Sequence, residues 1–208
     1  MKEWLKIVEF FLIYGAAVIS PGPNFVMVVR TSASNTRKSG LAMTLGFGTG
    51  VFIQGLAAAF GIKVLFETYP ALIKGIQYFG ALYLGYLGLI GLLAKPKAEP
   101  VDEEVKATAG VFSSFKTGLL THLSNPYAII FTFTTFSLFY DANPWLRLSY
   151  VFVALGLVLA WYGTAAVILS HSSLQEKLYR FRHWIDRGAG IILIYIAFKI
   201  GLADISMP

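Results

Sequence analysis

The chain of 208 residues has no cysteine and little charge. Without cysteine there is no thiol redox chemistry, no disulfide framework and no cysteine metal cluster. Asp, Glu, Lys and Arg make up 13% of the residues, about half of the roughly 25% usual in a soluble domain. Hydrophobic residues make up 56%, and the mean hydropathy is +0.66. No acidic residue falls between Glu9 and Glu67, Glu67 and Glu99, Glu104 and Asp141, or Asp141 and Glu176. That counts against a carboxylate proton relay and against a hard-cation site, which needs clustered charged oxygens. No Gly-x-x-x-x-Gly-Lys-Ser/Thr loop is present to power the chain with ATP, and no His-Glu-x-x-His zinc motif occurs. A Ser–His hydrolase built on Ser20 or Ser124 with His122 lacks both the Gly-x-Ser-x-Gly elbow and an acidic orienter. The reading is therefore no enzyme, no metal site and no cofactor. The net charge of +6 does not indicate a nucleic-acid partner, because the basic residues lie in small groups between apolar runs, as in membrane-protein loops.

Those runs are long. Phe10–Val29, Ser39–Ile62, Gly75–Ala94, Thr117–Tyr140 and Leu148–Gln175 are uncharged over 20, 24, 20, 24 and 28 residues. Each meets the roughly 20 residues that a helix needs to cross a bilayer. A sixth, Gly188–Phe198, is shorter, and Lys199 near its end can snorkel. The first run outlasts a signal peptide and ends in Ser20-Pro21-Gly22-Pro23 without a small-x-small site, so it reads as a mature helix. With the N-terminus outside, eleven Lys and Arg face in and six face out. Both termini are expected outside.

The sequence predicts an all-α integral membrane protein with one membrane domain, in contact with the lipid bilayer. Residues 5–94 form a first three-helix repeat, 95–110 a polar linker and 111–203 a second three-helix repeat. Three helices per half turn the second half upside down, as in many transporters. Gly80-Ala81 and Gly188-Ala189 mark corresponding points of the halves, as do the prolines. Pro21, Pro23 and Pro126 fall near mid-span in the first helix of each repeat, whereas Pro70, Pro96, Pro100, Pro144 and Pro208 fall outside the spans. Proline breaks a helix, and in lipid a broken backbone survives only where protein or a wet cavity satisfies it. Ser20-Pro21 and Asn125-Pro126 each pair an N-cap residue with proline at the first helical position. Two new helix starts, with free amides and positive dipole ends, would face each other at the membrane centre and could hold a carboxylate. The plain alternative is a pair of packing kinks.

The polar residues of the spans are few. His122, one turn before Asn125-Pro126, is the best-placed group for proton coupling, or else a neutral histidine bonded between helices. Gln54, in mid-span, glues helices or lines a site. Asn24 and Tyr127 follow the two breaks. Tyr78, Tyr83, Tyr86, Trp161 and Tyr162 read as packing or interface residues. Gly46-x-x-x-Gly50 and Ala81-x-x-x-Gly85 permit close helix contact within a chain or between chains, which leaves a homodimer open. His171–Arg187 reads as a basic amphipathic helix on the inner surface, or as a charged loop.

Four motifs resemble one family. Ser20-Pro21-Gly22-Pro23-Asn24-Phe25 is similar to the PGP signature of the LysE/RhtB amino-acid exporters. Arg37-Lys38-Ser39-Gly40-Leu41-Ala42 resembles the opening of their second helix. Gly80 to Gly88 is similar to their GAxYLxxxG segment, and Gly118 to Pro126 resembles their fourth-helix run ending in Asn-Pro. Where the family usually has Lys after Asn-Pro, this chain has Tyr127, and Gln54 stands where many relatives have His or another polar residue. The resemblance implies a multi-pass inner-membrane exporter of amino acids or small zwitterions, driven by the proton gradient. Ser20, Pro21, Gly22, Pro23, Asn24, Gln54, His122, Ser124, Asn125, Pro126 and Tyr127 are the expected substrate site. A metal-ion exporter and a non-transporting membrane scaffold are the competing readings.

Overall fold

The computed structural model describes residues 3–19, 23–34, 36–95, 110–168, 183–195 and 197–198. Seven helices follow in order: α1 (Glu3–Ile19), α2 (Pro23–Ser34), α3 (Arg37–Thr68), α4 (Pro70–Leu92), α5 (Val111–Ser124), α6 (Pro126–Leu138) and α7 (Pro144–Ile168). Residues 183–195 form a further helix, α8. Most of the polar linker, and residues 171–182 of the expected amphipathic segment, lie outside the described residues.

Local chemistry explains the boundaries. Thr36 starts α3, its hydroxyl accepting from the Ser39 amide at 3.1 Å. Asn143 starts α7 with its side chain accepting from the Trp145 amide at 3.0 Å, and Pro144 fills the first helical position. Pro70 likewise stands at the start of α4, whose N-cap Tyr69 makes no side-chain cap bond. At the start of α8, Arg187 donates through Nε to the Ala94 carbonyl at 3.2 Å, which ties α8 to the C-terminal end of α4.

The long helices α3 and α7 each pack on a pair of shorter ones. Thus α3 lies against α5 and α6, while α7 lies against α1 and α2, and α3 and α7 pack together at the centre. Glycines set the closest approach. A Cβ on Gly46 would sit 2.2 Å from the Phe115 carbonyl oxygen, one on Gly118 2.4 Å from that of Met43, and one on Gly50 2.9 Å from the His122 Cβ. The Gly46-x-x-x-Gly50 motif is thus used inside the chain, between α3 and α5. Gly85, of the second motif, likewise faces Ala197 beyond α8. The two Gly-Ala marks are not equivalent in space. Gly80 abuts Thr134 closely, whereas Gly188 has open space beside it.

Apolar side chains fill the core and also cover much of the outer surface. Ser114, Thr134 and Thr135 are fully buried, while Leu82, Leu93 and Phe112 on the outer surface are more than 70% exposed. Large exposed apolar surface marks contact with lipid or partners. The stretches Arg37–Gly61 and Pro144–Ile168 are long and apolar enough to cross a membrane. One end of the bundle carries a polar seam. Lys6 of α1 bonds and ion-pairs with Asp141 of the α6–α7 loop, and Asn143 donates to Glu3 at 3.0 Å. Arg147, near the start of α7, is buried. It donates to the Ala59 carbonyl at 2.9 Å and lies over the rings of Phe60 and Tyr140.

Candidate functional site

The break between α5 and α6 organises the centre. Asn125 leaves the helical conformation at φ −78° and ψ 109°, and its side-chain oxygen caps α6 by accepting from the Tyr127 amide at 3.0 Å. Pro126 has no N–H, so the His122 carbonyl loses its usual donor four residues on. Two substitutes serve it. The Asn125 amide reaches back to it at 3.2 Å, and Gln54 of α3 donates through Nε2 at 3.2 Å. The start of α2 comes close as well. Asn24, the second residue of α2, accepts from Asn125 Nδ2 at 3.4 Å. The described part of the first break starts at Pro23 of α2. Ser20, Pro21 and Gly22, and with them the Ser20-Pro21 helix start, lie outside the described residues.

A cavity of about 40 Å³ lies between these elements, walled by α1, α2, α3, α5, α6 and α7. Of the residues expected at the site, His122, Asn24 and Tyr127 line it. The His122 ring is buried, backs onto Gly50 and meets Phe47 edge-on at 6.2 Å. Neither of its ring nitrogens has a protein partner. Gln54 is buried but acts behind the wall, on the His122 carbonyl, and its own Oε1 is unpartnered. Ser124 is exposed on the outside, and Pro126 is exposed next to the partly buried Asn125. Tyr14, Phe131, Thr132 and Tyr162 complete the polar and aromatic wall. Tyr162 is therefore a cavity residue and not mere packing. Tyr14, Phe131 and Thr132 were invisible as site residues in the sequence, where nothing relates them to the breaks.

Among the described residues, no Asp, Glu, Lys or Arg lines the cavity. Among the described residues, no three His, Cys, Asp or Glu side chains gather as metal ligands. Tyr127 and Ala128, both in the first turn of α6, line the cavity, and the Tyr127 amide is held by the Asn125 cap. At about 40 Å³ the cavity takes little more than a few waters, since one water needs about 10–15 Å³ measured this way.

The LysE type translocator profile matches residues 16–203. The chain belongs to the LysE type translocator family. It is a membrane transporter and not an enzyme. It is 34% identical to the threonine efflux protein of Escherichia coli (strain K12) over 187 residues, which cover 87% of this chain and 90% of that one. It is 31% identical to an uncharacterised membrane protein of Pseudomonas aeruginosa over 91% of each chain. An uncharacterised membrane protein of Haemophilus influenzae is 26% identical over 91% of this chain and 92% of its own. No solved structure matches this translocator.

Proposed function

We propose that this translocator is a secondary active exporter of amino acids or similar small zwitterions, working in the inner membrane and driven by the proton gradient. The observation that carries the reading is the interrupted α5–α6 helix, whose first turn lines a cavity with no charged side chain among the described residues, beside a His122 ring whose two nitrogens have no partner. A helix start stabilises a carboxylate, and the absence of charged side chains favours a substrate whose own charges cancel. The likeness to a threonine efflux protein points to the same substrate class.

The substrate carboxylate rests on the α6 start, with the start after Ser20-Pro21 approaching from the other half. Asn24 and Tyr127 shape the pocket, and Gln54 holds the broken backbone in place. His122 takes up and releases the coupling proton. The packing of each long helix on the other half's broken helix is what two inverted three-helix repeats would give. Six spans with both termini outside complete the arrangement. Rocking of one repeat against the other widens the narrow cavity toward each side in turn.

The test is counterflow into proteoliposomes holding the purified protein, with labelled amino acids and divalent metals as the panel. Amino-acid flux that is lost in Pro126→Ala supports the reading. Flux of a metal instead, or of nothing in a folded preparation, supports the metal-exporter or scaffold alternative. Proton coupling is tested separately, since His122→Ala should abolish the response to an imposed pH gradient. Full gradient-driven transport in that variant would remove His122 from the coupling.

A further inference from the structure

An α-amino acid brings an ammonium group as well as a carboxylate. The usual partner of a buried ammonium is an Asp or Glu, because an unpaired buried charge is expensive. None is available here, since the cavity wall holds no acidic residue among the described residues and no acidic residue lies in the long apolar stretches. What the wall holds in its place is aromatic surface. Tyr14 of α1, Tyr127 and Phe131 of α6, and Tyr162 of α7 all line the cavity.

The rings are not scattered. Phe131 lies between Tyr14 and Tyr127, with centroids at 5.2 and 5.9 Å. On α7, Tyr162 meets Phe47 edge-on at 5.8 Å, and Phe47 in turn meets the His122 ring. Tyr14 is 3% and Phe131 4% exposed, and Tyr162 is 8% exposed, so bulk water does not compete at these faces. An ammonium head is close to a water molecule in size, and the cavity of about 40 Å³ admits it as it stands. The faces of aromatic rings attract cations within about 6 Å, most strongly where water is excluded.

We propose that the substrate's ammonium group is held by the aromatic faces of Tyr14, Tyr127, Phe131 and Tyr162, with Asn24 as the polar contact, and not by a carboxylate. This rests on the amino-acid exporter reading and specifies its site. Asn24 Oδ1 is the acceptor that now takes Asn125 Nδ2 over a long 3.4 Å. A zwitterion arriving between the two asparagines replaces that weak bond by two charge-assisted ones. Its ammonium donates to Asn24 Oδ1, and Asn125 Nδ2 donates to its carboxylate, next to the α6 amides. The aromatic box and the helix start thus divide the substrate's two charges between them.

The experiment uses the full-length protein in proteoliposomes and labelled threonine counterflow. Tyr14→Phe and Tyr162→Phe keep the ring face and should hold KM within about threefold of wild type. Tyr14→Leu and Tyr162→Leu remove it and should raise KM about tenfold, the equivalent of about 1.4 kcal/mol of the cation–π attraction. On the wild-type protein, the 2-hydroxy acid analogue of threonine, which lacks only the positive charge, should compete at least about tenfold less well than unlabelled threonine. That arm needs no variant to fold. Equal competition by the hydroxy acid would overturn the proposal. So would Phe variants as impaired as the Leu variants, or Leu variants that are folded and unimpaired. If wild-type protein carries no amino acid at all, the exporter reading itself falls. If it carries threonine but shows any of the three overturning results, only the aromatic box falls.

Discussion

Gln54 of α3 donates a hydrogen bond to the main-chain carbonyl of His122, the carbonyl that Pro126 leaves without its helical donor. The side chain of one helix thereby repairs the backbone of another at the depth where the break occurs. In lipid, such a repair is a condition for having a break at all. It also fixes the last turn of α5, and hence the direction of the His122 ring beside the cavity.

This relationship predicts a specific coupling. Gln54→Leu should cost about 1–3 kcal/mol, because a buried carbonyl loses a partner. Pro126→Ala returns an amide to the same place in the chain. The loss from Gln54→Leu should therefore be smaller in the Pro126→Ala background than in the wild type. Thermal unfolding of the four proteins of this cycle in detergent checks it, and strictly additive effects would contradict the shared carbonyl.

The α3–α5 contact predicts a contrast between glycines. Gly46→Ala puts a Cβ 2.2 Å from the Phe115 carbonyl oxygen and 2.8 Å from the Leu119 amide, both backbone atoms that cannot turn aside. The helices must part, at about 1–3 kcal/mol. Gly156→Ala and Gly163→Ala on α7 meet nothing within 4 Å and should be neutral or stabilising by up to about 1 kcal/mol, as for Gly to Ala in any helix. Melting temperatures of the three variants decide it.

Much of this centre was legible in the sequence, and the reasons are local. Asn125-Pro126 carries its own instructions, a cap followed by a residue that cannot continue the helix, and the structure uses both. The same pair at Asn143-Pro144 starts α7, so the dipeptide specifies a helix start while its place within an apolar run specifies a break in the membrane. The partners were not legible. Gln54 could be read as glue or as site, and only the packing of α3 on α5 shows which atom it meets. Ser124 was grouped with its neighbours but lies two residues after His122, about 200° around the helix, and so faces outward. Tyr14 and Tyr162 look like any tyrosine in a membrane span, because their common cavity is made by helices far apart in the chain. For the same reason the partner of Gly46 and Gly50 was open in the sequence and is α5 in the structure.

The polar seam predicts a pH dependence. Burial alone would raise the Asp141 carboxyl. The hydrogen bond from Lys6, the Asn143 amide and the charges of Lys6 and Arg147 outweigh it and hold the group below the ordinary carboxylate range. A depressed carboxyl contributes stability that is present above its unfolded value, about 3.9, and lost as the pH falls through the folded value. Asp141→Asn should therefore lower the melting temperature at pH 7. The difference from wild type should shrink as the pH is taken below about 4. A difference that stays constant with pH would mean that the ion pair contributes nothing.

The most direct measurement on the central site is the pair of properties of Asn125→Asp. Aspartate caps a helix about as well as asparagine and is favoured by the dipole at a helix start. Asn24 can reverse its amide and donate to the new carboxylate. The variant should therefore melt no lower than the wild type. If the α6 start is where the substrate's carboxylate rests, a fixed negative charge there repels it, and counterflow of the labelled amino acid that the wild type carries should be abolished in a protein that is fully folded. Counterflow retained at the wild-type level, with the melting temperature unchanged, would contradict the assignment of this helix start as the carboxylate site.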